Sequence, residues 1–160
     1  MLLQFFLWSE STALGAAIRE SHWLFPAIMA VHLLALALIG GAILVVDLRL
    51  FGLGLRRQPV AQLARDAEPW LMGSLLVMVM TGILLFLSDP LKCYYSTPFW
   101  VKMSSLSLAI VFAFTVRRTV AAADETRVGP LWSKLVALIS LTLWGTVAWG
   151  GRWIGMSGEV

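Results

Sequence analysis

Charge is what this 160-residue sequence has least of. Asp, Glu, Lys and Arg make up 13% of it against 59% hydrophobic residues, and its mean hydropathy is +0.84. Ordinary soluble domains carry about 25% charged residues. The composition therefore excludes a soluble globular fold and points to a bilayer. Cys93 is the single cysteine, so no intrachain disulfide can form, and no CxxCH is present for covalent c-type haem attachment. HExxH, CxxC, GxxxxGKS/T and GxSxG are missing too. Their absence removes zinc hydrolysis, dithiol redox chemistry, nucleotide hydrolysis and the nucleophile-elbow hydrolases. The opening MLLQFFLW has no basic residue before it and no small-residue cleavage site after it, so it does not read as a signal peptide.

What is present is long apolar runs. Residues 26–46 contain no formal charge, and at about 1.5 Å per residue they reach across a hydrocarbon core of roughly 30 Å. Residues 70–87, 99–116 and 131–149 are similar, with Lys102 and Lys134 as their only charges. The pattern predicts an all-α integral membrane four-helix bundle, one domain over residues 1–160, with spans at about 24–46, 70–88, 98–116 and 131–150. Residues 1–20 are expected to form a short interfacial helical segment, with Leu2, Phe5, Phe6 and Trp8 facing lipid or the bundle. Gly40 and Gly41 are expected to let another helix approach, as are Gly73, Ser74, Thr81 and Gly82 in the second span. Between the first two spans, the stretch Leu50 to Glu68 is polar and Arg-rich with apolar Leu53, Val60 and Leu63, which suits a short amphipathic helix in its later part.

The basic residues sort by connection. Arg49, Arg56, Arg57 and Arg65 follow the first span, and Arg117, Arg118, Arg127 and Lys134 surround the third link, whereas the second link carries only Lys92. The positive-inside rule then predicts both termini outside, in a bacterial inner membrane. The net charge of +3 is spread over these links rather than gathered on a soluble face, which argues against nucleic acid as a partner. Trp23, Trp70, Trp100, Trp132, Trp149 and Trp153 fall near the expected span ends, as an aromatic belt does.

One ionisable side chain lies deep in a span. His32 is six residues inside the first apolar run, about 9 Å along it. An ionisable group at that depth is costly and by default functional. Lys102 is predicted at a similar depth, and Arg152 at the same end of the fourth span. An imidazole below two cations suits a b-type haem, with His32 as axial metal ligand and the cations pairing with propionates. Lys102 is the candidate catalytic residue. Met29, one turn before His32, is a candidate cofactor contact, and Met72, Met78, Met80 and Met103 in other helices leave the choice of a thioether second ligand open. His22 and His32 lie about 15 Å apart along one helix, too far to clamp a single iron. The plainer alternatives are a histidine bonded to a hydroxyl on a neighbouring helix, a snorkelling lysine and an interfacial arginine.

The stretches FPAIMAVHLLALALIGGAILVVDLRLFGL, TGILLFLSDP, PFWVKM and WGGRWIG resemble a domain-of-unknown-function family of small bacterial inner-membrane proteins with four helices. More distantly, His32 and the W-x-K ending at Lys102 resemble the HemJ-type protoporphyrinogen oxidases and the copper-resistance D family. The HemJ resemblance implies a b-type haem on His32 and an essential lysine at Lys102. This chain departs from that pattern in having no further histidine in the third span.

The leading expectation is a haem-b redox protein acting near the periplasmic face, with quinone or a periplasmic redox protein as partner. A copper-handling or small-solute component using His32, Met29 and Met103 is the alternative, since thioether and imidazole ligands suit Cu(I). A third reading is a structural accessory subunit, without a cofactor, in a homo-oligomer or larger membrane complex.

Overall fold

A helix that is apolar all round declares no inward face, so the buried stripe of each span is set by its neighbours. The computed structural model describes residues 2–53, 58–123 and 129–156. Two short helices, α1 (Leu2–Glu10) and α2 (Ala13–Glu20), precede the long α3 (Leu24–Leu50) and α4 (Val60–Ser88). A brief α5 (Pro90–Tyr95) leads into α6 (Thr97–Phe112). The same rod continues through a π-helical turn, Ala113–Arg117, into α7 (Arg118–Ala122), and α8 (Pro130–Met156) follows. Four stretches are long and apolar enough to cross a membrane: Leu24–Leu50, Val60–Ser88, Thr97–Ala122 and Pro130–Ile154. This is an all-α, multi-pass membrane protein. Large apolar side chains such as Leu33, Leu34, Leu76, Leu108 and Val111 are exposed around its perimeter, where lipid solvates them.

Along α3 the buried residues are His32, Ala35, Ile39, Ile43, Val46, Asp47 and Leu50, at helical spacing of three and four. This stripe packs mainly against α4 and α8, and α8 packs against α6, so the helices follow one another in the order α4, α3, α8, α6. Ala35, Ile39 and Ile43 join Leu71, Met78, Ala109, Trp144 and Val147 in a central core. Val46 and Leu50 join Val60, Leu63, Val120, Val136 and Ala137 in a second core at the far end. Acyl chains are as apolar as Leu, so these cores are held by close packing and polar contacts rather than by escape from water.

Several expectations change. Gly40, Gly41 and Gly73 have nothing within 4 Å of the point where a Cβ would stand, so they admit no neighbouring helix. The amphipathic segment after residue 60 is not separate. Val60 and Leu63 are buried in the far-end core, and their helix runs on without a break through Pro69 to Ser88. Arg117, expected among the basic residues of the third link, is instead buried and paired with Asp47: Arg117 Nε donates to Asp47 Oδ1 at 2.8 Å, and Nη2 to the Ile43 carbonyl at 3.4 Å. Opposite charges taken out of water need such a partner. Ser140 neighbours this carboxylate, yet among the described residues its hydroxyl and Asp47 Oδ2 are buried without a hydrogen bond. Arg56, Arg57 and Arg127 lie outside the described residues.

The N-terminal helices sit on one end of the bundle. Thr12 caps α2 by accepting from the Gly15 N–H. Gly15 itself presses on the Leu87 carbonyl, where no Cβ would fit. Arg19 Nη1 donates to the Ser88 carbonyl at 2.8 Å and Nη2 to the Glu10 carbonyl at 3.0 Å, tying α2 to the end of α4 and to α1. Phe6 is buried among Phe86, Tyr94 and Trp100, whereas Phe5 and Trp8 stay exposed.

Candidate functional site

The third turn of α3 carries His32, 6% exposed, toward α4 and α6. Its Nδ1 lies 2.9 Å from Thr81 Oγ1 on α4. The Thr81 hydroxyl has one proton, and it is directed to the Val77 carbonyl at 2.7 Å. Thr81 must therefore accept from His32, which assigns the imidazole proton to Nδ1 and leaves the lone pair on Nε2. That lone pair faces Lys102 Nζ of α6 at 3.4 Å, a long hydrogen bond in which the amine donates.

Small residues close around the pair. A Cβ on Gly82 would stand 3.4 Å from His32 Cε1. On α8, a Cβ at Gly150 would stand 3.2 Å from Lys102 Cβ, and one at Gly151 3.4 Å from Lys102 Nζ. The WGG sequence of α8 is thus the wall against which the lysine lies. Four helices contribute: α3 the imidazole, α4 its hydroxyl partner, α6 the amine and α8 the glycine wall.

Of the residues expected to share a site, His32 and Lys102 meet. Arg152 is exposed and no hydrogen bond or ion pair joins it to them. Met29 is half-buried one turn before His32, and Met103 is exposed on α6. Among the described residues no cluster of three His, Cys, Asp or Glu side chains is placed to hold a metal ion. His22 is exposed and lines a cavity of about 330 Å³ at the α1–α2 end, together with Arg19, Phe25, Ser88 and Asp89. In α5, outside the spans, burial pushes the Cys93 thiol up to about 11, and Asp89 pushes the same way against Lys102 and Lys92.

The sequence matches the profile of a family of unknown function (DUF6644) over residues 5–157. The chain belongs to the DUF6644 family. No curated protein and no solved structure matches it. What this DUF6644 protein does must therefore be argued from its own side chains. Sequence reasoning on the chain found His32 and Lys102 by their depth, but it read Thr81 and Gly82 only as small packing residues and gave the Gly150–Gly151 pair no role. The signal for the last was adjacent: two glycines beside a tryptophan at the span end opposite a buried lysine.

Proposed function

We propose that this membrane protein binds a lipid-soluble ligand of the quinone class at the His32–Lys102 pair and exchanges a proton with it there. The observation that supports this is the isolation of Lys102. Among the described residues its one hydrogen bond is to His32 and no ion pair to it is found. An amine carried into the bundle without an acid partner is costly unless something accepts from it. A quinone carbonyl is such an acceptor, and the Nε2 lone pair beside it can take or return a proton. The electrons for that chemistry come from a redox partner, which makes the protein the ligand-binding component of an electron-transfer chain. The basic residues Arg49, Arg65, Arg118 and Lys134 cluster away from the α1–α2 end and support a bacterial inner-membrane setting with the pair toward the periplasm.

The b-type haem expected on His32 meets one favourable and two opposing observations. Thr81 fixes the tautomer an axial ligand needs, since a ligating histidine donates its other N–H to a neighbour. But Nε2 points at Lys102 Nζ, which lies against Gly151, with Gly150 against the base of the same side chain. In addition, the cavity at this end is lined by His22 and Phe25, not His32. As packed, these residues do not fit a haem on His32. Copper fares no better, because Met103 is exposed and, among the described residues, no cluster of three His, Cys, Asp or Glu side chains is placed to hold a metal ion.

The test is binding of a radiolabelled tailed benzoquinone to purified protein in lipid nanodiscs. Saturable binding that weakens at least tenfold in Lys102→Met is expected. Unchanged affinity in that variant refutes the proposal. A reduced-minus-oxidised spectrum on the same sample, expressed with haem precursor, should show no Soret band. A haem b signal near one per chain, lost in His32→Ala, would restore the haem assignment.

A further inference from the structure

We infer that the ligand reaches Lys102 sideways from the bilayer, through a slot between α4 and α6, so that it must be an amphiphile with an apolar tail lying in that slot. This rests on the proposed ligand reading of the His32–Lys102 pair.

The slot follows from which helices fail to pack. α3 packs against α4 and α8, and α8 against α6, but α4 and α6 make no comparable contact along their lengths. Among the described residues, the side chains that bridge them directly stand near their two ends, while at mid-length both helices lean on the shared central core. Toward the α1–α2 end, the rings of Phe86 and Phe99 stack at 6.1 Å. At the far end, Arg118 Nη2 meets Glu68 Oε1 at 3.0 Å.

Helical spacing identifies what lies between. Glu68, Leu75, Gly82 and Phe86 share one stripe of α4, because steps of seven and four return to the same side. Both end members of that stripe touch the α6–α7 rod, so Leu75 lies on the side that faces it, while Gly82 on the same stripe borders His32. By the same spacing Phe99 and Leu106 lie on the facing side of α6, with Lys102 at its edge against Gly150 and Gly151 of α8. Leu75, Gly82, Leu106 and Lys102 are all half-buried, less covered than the residues that meet α3. His32 lies behind them as the floor. A slot opening at this depth faces acyl chains rather than water. Its walls are aliphatic and its one cation lies at the inner wall near the α1–α2 end, which matches a tail ending in an oxygen-bearing head.

The test closes the slot reversibly. In a Cys93→Ser background, cysteines at Leu75 and Leu106 are bridged with a reducible thiosulfonate crosslinker, and the protein is placed in nanodiscs. Two radiolabelled probes are used, a benzoquinone with a ten-carbon tail and the same ring without the tail. Affinity for the tailed probe is expected to fall at least tenfold on bridging and to return on reduction, while the tail-less ring changes less than twofold. Unaltered binding of the tailed probe to bridged protein would overturn lateral access, as would equal loss of both probes. A Phe25→Trp variant, filling the cavity at the α1–α2 end, should leave the tailed probe bound; tenfold loss there would place the route at that cavity instead. Lys102→Met separates the two ideas, because unchanged binding of both probes in that variant refutes the ligand reading itself, whatever the bridge does.

Discussion

Breaking the Asp47–Arg117 pair from one side should cost more than removing it altogether. Asp47 is fully buried, the Arg117 side chain is 8% exposed, and the bond between them is 2.8 Å. In Arg117→Met the carboxylate keeps its place in the bundle but loses the Arg117 hydrogen bond, and among the described residues Oδ2 has no partner to replace it. Stranding one member of a buried pair costs about 3–5 kcal/mol, whereas replacing both members by apolar groups of similar volume is neutral or stabilising. At about 2–4 °C per kcal/mol for a chain of this size, the single variant should melt roughly 6–20 °C below the parent. The double variant Asp47→Leu/Arg117→Met should recover most of that loss. The assay is thermal unfolding in one detergent at fixed protein concentration, followed by far-UV circular dichroism. A double variant as unstable as the single one would refute the argument, because it would mean that the pair stabilises rather than merely compensates.

Three other outcomes follow from described contacts. Cys93 should react with maleimide at pH 8 far more slowly in the folded protein than in SDS, since burial holds the thiol near 11; equal rates would contradict that burial. The same shift carries a sign for stability. The thiol's ordinary value is 9.0, so between pH 9 and about 11 the unfolded chain loses this proton first, and the folded state should lose stability as pH rises through that window, in Cys93 but not in Cys93→Ser protein. Gly15→Leu, which drives a side chain into the Leu87 carbonyl, should release α1 and α2 and expose the residue 11–12 link to protease while the spans persist; an unchanged cleavage pattern would show that the contact is not needed. Thr81→Val removes the acceptor for His32 Nδ1 and leaves a buried donor unpaired, at about 1–3 kcal/mol; quinone affinity should fall several-fold with it, and rescue by Thr81→Ser would tie the loss to the hydroxyl.

The spans were legible because hydropathy alone defines them. Which way they face was not. α3 is apolar on every side, so nothing in its sequence separates Gly40 and Gly41, which meet lipid, from Ile39 and Ile43, which meet the core. The helix of α4 starts ten residues before the expected span because Arg65, Asp66 and Glu68 end the hydropathy run without ending the helix. Arg117 read as a loop charge since it adjoins Arg118, yet the π-turn carries it inward to Asp47. His32 and Lys102 were legible as a pair of equal depth, because parallel spans can be counted from their ends. Thr81 was not, since a hydroxyl in a span usually bonds its own helix, as Ser104, Ser107 and Thr142 do here.

The two polar links between α3 and the α6 rod share a property that neither has alone. His32 to Lys102 and Asp47 to Arg117 each join residues 70 positions apart in the chain. The links stand about 22 Å apart along α3. Together they work as a key with two teeth: a one-residue slip of α6 past α3 disengages both at once, so every misregistered arrangement leaves four ionisable groups stranded in hydrocarbon. Insertion of a single alanine between Lys102 and Arg117 keeps at most one tooth engaged, while a compensating insertion between His32 and Asp47 lets both close again.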